Sequence, residues 1–162
     1  MNTLVFGNHT TSSNNGLASL KRLLRTDDNW APLALRVPVG IIFAVHGAQK
    51  LFGWFGGYGL EGTGQYMASI GLAPGVLMAL LAGAAEFFGG LALIAGLLVR
   101  PASAALALTM LVAIFSVHID KGLFVTNNGY EYALSLLAIT VALSLTGAGR
   151  ASFDRLLTRS DA

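Results

Sequence analysis

The sequence contains no cysteine. That absence excludes disulfides, thiolate metal ligands, iron–sulfur clusters, covalent haem attachment through a CxxCH motif and any CxxC redox relay. Charge is also scarce: Asp, Glu, Lys and Arg together make up 11% of the 162 residues, against 54% hydrophobic ones. A soluble domain of this size carries about a quarter charged residues. A formal net charge of +2 gives no footprint for nucleic acid, so none is expected as a partner. There is no P-loop, Rossmann glycine pattern, nucleophile elbow or HExxH motif. The class that survives these exclusions is a polytopic membrane protein.

The stretch Trp30–Gly53, WAPLALRVPVGIIFAVHGAQKLFG, is long enough to cross a bilayer yet carries Arg36, His46 and Lys50. At about 100° per residue these three fall within about 80° of one another, together with Phe43. Ionisable groups inside a span face a protein interior or a watery cavity, so this face is expected to look inward. A second span is expected from Pro74 to about Val99. Gly75, Ala79, Ala82, Gly83 and Gly90 form a stripe of small residues around Glu86, suited to close helix packing. Arg100-Pro101 reads as a tight connection. A third span is expected from about Ala102 to Ile119 with His118 near its end, and a fourth from Tyr130 to Thr146 with Glu131 at its start.

Between the first two spans, FGWFGGYG reads as an interfacial turn, and Glu61–Leu72 as a short interfacial helix. The predicted fold is all-α: an integral-membrane antiparallel four-helix bundle with that short helix between spans 1 and 2. Three divisions follow. Residues 1–28 form a disordered, partly amphipathic tail that includes LASLKRLLR; residues 29–149 form the four-span membrane domain; residues 150–162 form a second tail with a short amphipathic end. Lys21, Arg22, Arg25, Arg100, Arg150, Arg155 and Arg159 fall on the side of the termini. The positive-inside rule therefore places both termini in the cytoplasm.

His46, Lys50, Glu86, His118 and Glu131 are the candidate polar pocket, converging from four helices toward the outer side. Arg36 lies about 20 Å further in, by helical rise, and suits a structural ion pair or a lipid headgroup. Histidine, lysine and glutamate beside phenylalanines match what a quinone requires: donors to its oxygens, groups that exchange protons, and flat apolar walls. Each group also has a plain structural role open to it. Glu131, for example, suits the N-terminal dipole of its helix. Two His and two Glu lack short ligand spacing, so no metal site is expected.

The order of RVPVGIIFAVHGAQKLFG, GTGQYMASIGL, EFFGGLALIAGLLVR, HIDKGLF, NGYEYALSLLAI and LTGAGRASFDRLL resembles the DoxX family of bacterial and archaeal inner-membrane proteins over about residues 30–157. The resemblance implies a multi-pass inner-membrane protein. Some relatives form part of a thiosulfate:quinone oxidoreductase, and others accompany redox-stress assemblies. The family pattern falls on Arg36, His46, Lys50, Glu86, His118, Gly129 and Glu131 here, with no shared catalytic assignment. Three functions fit: a quinone-interacting subunit of a membrane oxidoreductase, a non-enzymatic scaffold or assembly factor, and a small-solute or proton-linked transporter. Beyond lipid, the expected partners are a redox protein or a second copy. Quinone is the one cofactor suggested.

Overall fold

A computed structural model describes residues 24–26 and 28–159. The amphipathic segment expected at 17–25 lies outside them except at its last two positions. Every element within the described residues is helical. They are α1 (Ala31–Phe52), α2 (Gly59–Ser69), α3 (Gly75–Ala95), α4 (Val99–Ala113), α5 (Glu131–Thr146) and α6 (Phe153–Arg159).

Three helical runs are long and apolar enough to cross a membrane: Ala31–Phe52, Gly75–Ala95 and Val99–Lys121. The last is α4 prolonged by a π-helical turn at Ile114–His118 and a 3-10 turn at Ile119–Lys121. At 16 residues, α5 is shorter. Its regular part rises about 24 Å.

Helix α1 packs most extensively on α3, and α4 on α5, while α2 lies against α3. Contacts at the helix ends fix the directions. Arg36, near the start of α1, meets Leu93 and Ile94 at the end of α3. Arg100, at the start of α4, meets Ser144 near the end of α5. Both pairs are therefore antiparallel.

The small-residue stripe of α3 is what lets α1 approach. A Cβ built on Gly90 would sit 2.5 Å from the Ala44 amide nitrogen and 2.6 Å from the Gly40 carbonyl oxygen. Only hydrogen fits between those backbones. The apolar core continues from this seam through Val39, Phe43 and Leu93 to Leu106, Met110, Leu136 and Leu143. The outward faces carry exposed Ile41, Leu81, Leu108 and Leu145. A surface so apolar suits lipid rather than water.

The short helix α2 starts two residues earlier and stops three residues earlier than the sequence expectation, and two further helix boundaries differ for a local reason. Helix α3 stops at Ala95, before Val99, because Gly96 takes a left-handed conformation (φ 72°) that closes the helix end. Helix α4 begins at Val99, so Arg100 and Pro101 belong to its first turn rather than to a connection. Proline lacks the N–H that a first turn leaves unpaired in any case. The amides of Leu98 and Val99, where the helix begins, are capped from outside it by a carboxylate.

Candidate functional site

Lys50 and Glu86 meet across the α1–α3 seam. Lys50 Nζ lies 2.5 Å from Glu86 Oε2, and the side chains are 26% and 5% exposed. The carboxylate is thus inside the protein and the ammonium at the rim. Their encounter follows from the glycines: with Gly83 beneath Leu51 and the Lys50 stem, the two helices run close enough for a lysine to reach across. A charge in this apolar setting is tolerated because it is paired.

Aromatic rings border the pair. Phe52, two residues beyond Lys50, packs edge-on against Phe87, the neighbour of Glu86, at 5.3 Å between ring centres. Phe52 also contacts Trp54 at 4.9 Å, and Phe87 contacts Phe88 at 5.3 Å. Phe52, Trp54 and Phe88 are exposed. A planar apolar molecule in the bilayer would therefore meet flat walls and a partly accessible ammonium in one place.

The other residues of the sequence-derived pocket divide between this site and the loop at the same end. His46 lies one turn before Lys50 and is half-buried. Its Nδ1 is 3.1 Å from Gln49 Oε1, and its ring meets Tyr132 of α5 at 6.5 Å. Gln49 in turn donates to the Phe55 carbonyl at 3.3 Å. His118 instead donates from Nδ1 to the Asn128 carbonyl at 2.7 Å. Glu131 Oε1 accepts from the Val125 amide at 2.6 Å. Both brace the α4–α5 loop, which also turns at Asn128 through a positive φ of 61°. Thus Lys50 and Glu86 touch, His46 is their neighbour on α1, and His118 and Glu131 hold the loop. Gln49 and Tyr132 join the site. The sequence signal for Gln49 is its polarity within an apolar span beside Lys50; Tyr132 has none apart from its position next to Glu131. Among the described residues, no three His, Cys, Asp or Glu side chains gather where they could hold a metal ion.

The opposite end of the seam holds a second polar cluster. Arg36 is 1% exposed and turns into the protein. Nη1 donates to Leu93 O and Ile94 O, each at 2.7 Å, while Nε donates to Ala148 O at 3.1 Å and Nη2 to Ala151 O at 2.6 Å. The guanidinium thereby donates to two carbonyls of the last turn of α3, of which Leu93 O also accepts from the Gly96 amide, and fastens the chain after α5 to that turn. Asp154, also 1% exposed, accepts from the Leu98 amide at 2.7 Å and the Val99 amide at 3.0 Å, which caps α4. Burial pushes its carboxyl above the usual aspartate range, opposed by these amides and by the charges of Arg36 and Arg100. Asp154 was legible only as part of a short amphipathic end.

Comparison with known proteins places these residues in context. The sequence model of the DoxX family matches residues 31–119, which include α1 to α4, Arg36, the Lys50–Glu86 pair and His118. The chain is 40% identical over 112 residues to "Putative oxidoreductase CatD" of Bacillus subtilis, covering 69% of this chain and 77% of the relative. It is 32% identical over 127 residues to "Inner membrane protein YqjF" of Escherichia coli, covering 78% and 92%. No solved structure matches it.

Proposed function

The chain belongs to the DoxX family of membrane proteins, and from that premise we propose that it is an integral-membrane component of a redox system that receives a quinone headgroup at the Lys50–Glu86 pair. The observation that carries this reading is the asymmetric burial of the pair: a carboxylate at 5% exposure holding an ammonium at 26%, beside exposed aromatic rings. A lysine held in this way is a fixed donor to a carbonyl oxygen arriving from the bilayer. Glu86 fixes that ammonium in place, and His46 stands one turn away on the same helix as a further hydrogen-bonding group. The name of the Bacillus subtilis relative agrees with a redox role. With no cysteine in the chain, any step through a protein thiol takes place on a partner protein, which also supplies the electrons.

In the same reading the protein lies in a bacterial inner membrane with four spans and both termini in the cytoplasm. The name of the Escherichia coli relative supports the membrane. Arg25, Arg100, Arg150 and Arg155, all at the end where α1 begins, support the orientation.

One observation favours a second reading, a structural lock in a scaffold protein: Glu86 and Lys50 already satisfy each other. Titration of the purified protein with a short-chain ubiquinone analogue, followed by quenching of Trp54 in a Trp30→Phe background, separates the two. The redox reading expects saturable quenching, weakened about tenfold in Glu86→Gln with the fold retained. Undiminished binding in a folded Glu86→Gln protein leaves the lock.

A further inference from the structure

Opposite the Lys50–Glu86 end, a pocket of about 370 Å³ opens between the start of α1 and helix α6. Its lining is divided by chemistry. Arg150 and Arg155 supply two guanidiniums, and Trp30, Phe153 and Leu156 supply apolar surface. Arg150 lies over the Trp30 ring at 5.6 Å, so the indole helps to orient the cation. Helix α6 turns Asp154 into the protein and leaves Phe153 and Leu156, three residues apart on one face, 54% and 62% exposed. Trp30, immediately before α1, is 56% exposed beside them.

Such an arrangement belongs at a bilayer surface. Exposed phenylalanine, leucine and tryptophan enter the acyl boundary, while arginines next to them remain among the headgroups. The two guanidiniums converge on one carboxylate. Arg150 Nε is 2.9 Å from Asp28 Oδ1, and Arg155 Nη1 bonds the same oxygen. The Asp28 side chain is 61% exposed. Two guanidiniums that converge on one exposed oxyanion, each through one nitrogen, present charged donors of the kind a phosphodiester accepts. Arg25 and Arg100 add positive charge at the same end, which favours a net anionic headgroup over a zwitterionic one.

The geometry points to a binding site for an anionic phospholipid of the adjoining leaflet, with its phosphate on Arg150 and Arg155 and its acyl chains along Trp30, Phe153 and Leu156. Asp28 is the internal anion that competes for the same donors. The site is independent of the quinone reading, since it lies at the other end of the seam. It couples lipid to fold: Arg155 is adjacent to Asp154, which caps α4, and the pocket wall includes Ala151, whose carbonyl accepts from Arg36.

Native mass spectrometry of the full chain in neutral detergent tests the site. The probes are phosphatidylglycerol, phosphatidylcholine with the same acyl chains, and glycerol 3-phosphate. Phosphatidylglycerol is expected to be retained in preference to both others. Arg150→Gln and Arg155→Gln should each weaken its retention about fivefold. Asp28→Asn should strengthen it, because the competing carboxylate is removed. Equal retention of the two lipids, undiminished binding in the double arginine variant, or glycerol 3-phosphate binding as well as the lipid overturns the proposal. If the arginine variants fail to fold, Asp28→Asn decides alone: lipid retention that is unchanged or reduced overturns the site.

Discussion

Arg36 and Asp154 close one end of the helix assembly from opposite electrostatic directions. The arginine covers carbonyls at the C-terminal end of α3, and the aspartate covers amides at the N-terminal end of α4. The α3–α4 turn thus has a cation at its negative pole and an anion at its positive pole. Both side chains are buried, and each is supplied by a distant part of the chain. The turn is therefore held by tertiary contacts, so its stability depends on α1 and on the segment after α5.

The first prediction concerns Arg36. Arg36→Gln removes a buried charge and takes the side-chain donors from the Ile94, Ala148 and Ala151 carbonyls, and it should destabilise the protein by about 2–4 kcal/mol. Arg36→Lys should recover only part of this, because one ammonium cannot reproduce a planar fork reaching four carbonyls. Thermal unfolding in detergent measures both. A stability of Arg36→Gln equal to that of the parent would refute the clasp.

The second prediction separates two glycines of the same stripe. A Cβ at Gly90 meets backbone atoms of Ala44 and Gly40, which cannot yield without moving α1. A Cβ at Gly83 meets the Leu51 Cδ2 at 2.8 Å, the end of a flexible side chain. Replacing glycine by alanine within a helix gains about 1 kcal/mol in propensity. Gly83→Ala should therefore be near neutral, whereas Gly90→Ala should destabilise by about 1–3 kcal/mol. The larger Gly83→Leu should also destabilise, since Leu51 and the Lys50 stem would have to move together. Equal stabilities for the two alanine variants would refute backbone contact between α1 and α3 at Gly90.

The third prediction concerns α5. Its 16 residues rise about 24 Å, short of a hydrocarbon core about 30 Å thick. If α5 nonetheless crosses, its ends must be completed by Tyr130 and the chain after Thr146. Since the chain has no native cysteine, single-cysteine labelling has no background. Lys121→Cys should label only from the periplasmic side, and Gly16→Cys and Ser160→Cys only from the cytoplasmic side. Labelling of Lys121→Cys and Ser160→Cys from the same side would show that α5 does not cross.

What the sequence made legible follows from how strongly each residue constrains its surroundings. Glu86 in an apolar helix lined with glycine calls for a cation on α1, and spacing alone leaves both Lys50 and His46 open. The close packing of α1 on α3 is what brings Lys50 to it. Arg36 could not be resolved from spacing either, because a headgroup and a set of buried carbonyls satisfy a guanidinium equally well. The choice depends on the chain after α5 folding back over the end of α3. Asp154 was hidden for the same reason: its partners are amides 55 and 56 residues away, and no periodicity encodes a return of that length. His118 and Glu131 were read by depth as members of the pocket. Each instead bonds a loop backbone atom ten or fewer residues away, an option that helical-wheel reasoning leaves out.

The last prediction tests whether the Lys50–Glu86 pair acts as a unit. Lys50→Met leaves Glu86 as a lone buried carboxylate, and Glu86→Gln leaves an unmatched ammonium that can still turn toward the rim. The first should therefore be the more damaging, about 2–4 kcal/mol against about 1–2 kcal/mol. In the double variant neither charge remains, and the helices stay packed through their glycines. It should be more stable than the sum of the single losses implies, with a coupling of about 1–2 kcal/mol. His46→Phe supplies the comparison. Its ring bonds Gln49 rather than either charge, so its effect should add to that of Glu86→Gln without coupling. Additivity in the Lys50–Glu86 cycle would remove the pair as an energetic unit. Coupling of similar size in the His46–Glu86 cycle would show instead that the imidazole reaches the carboxylate in the membrane, and would extend the site to three groups.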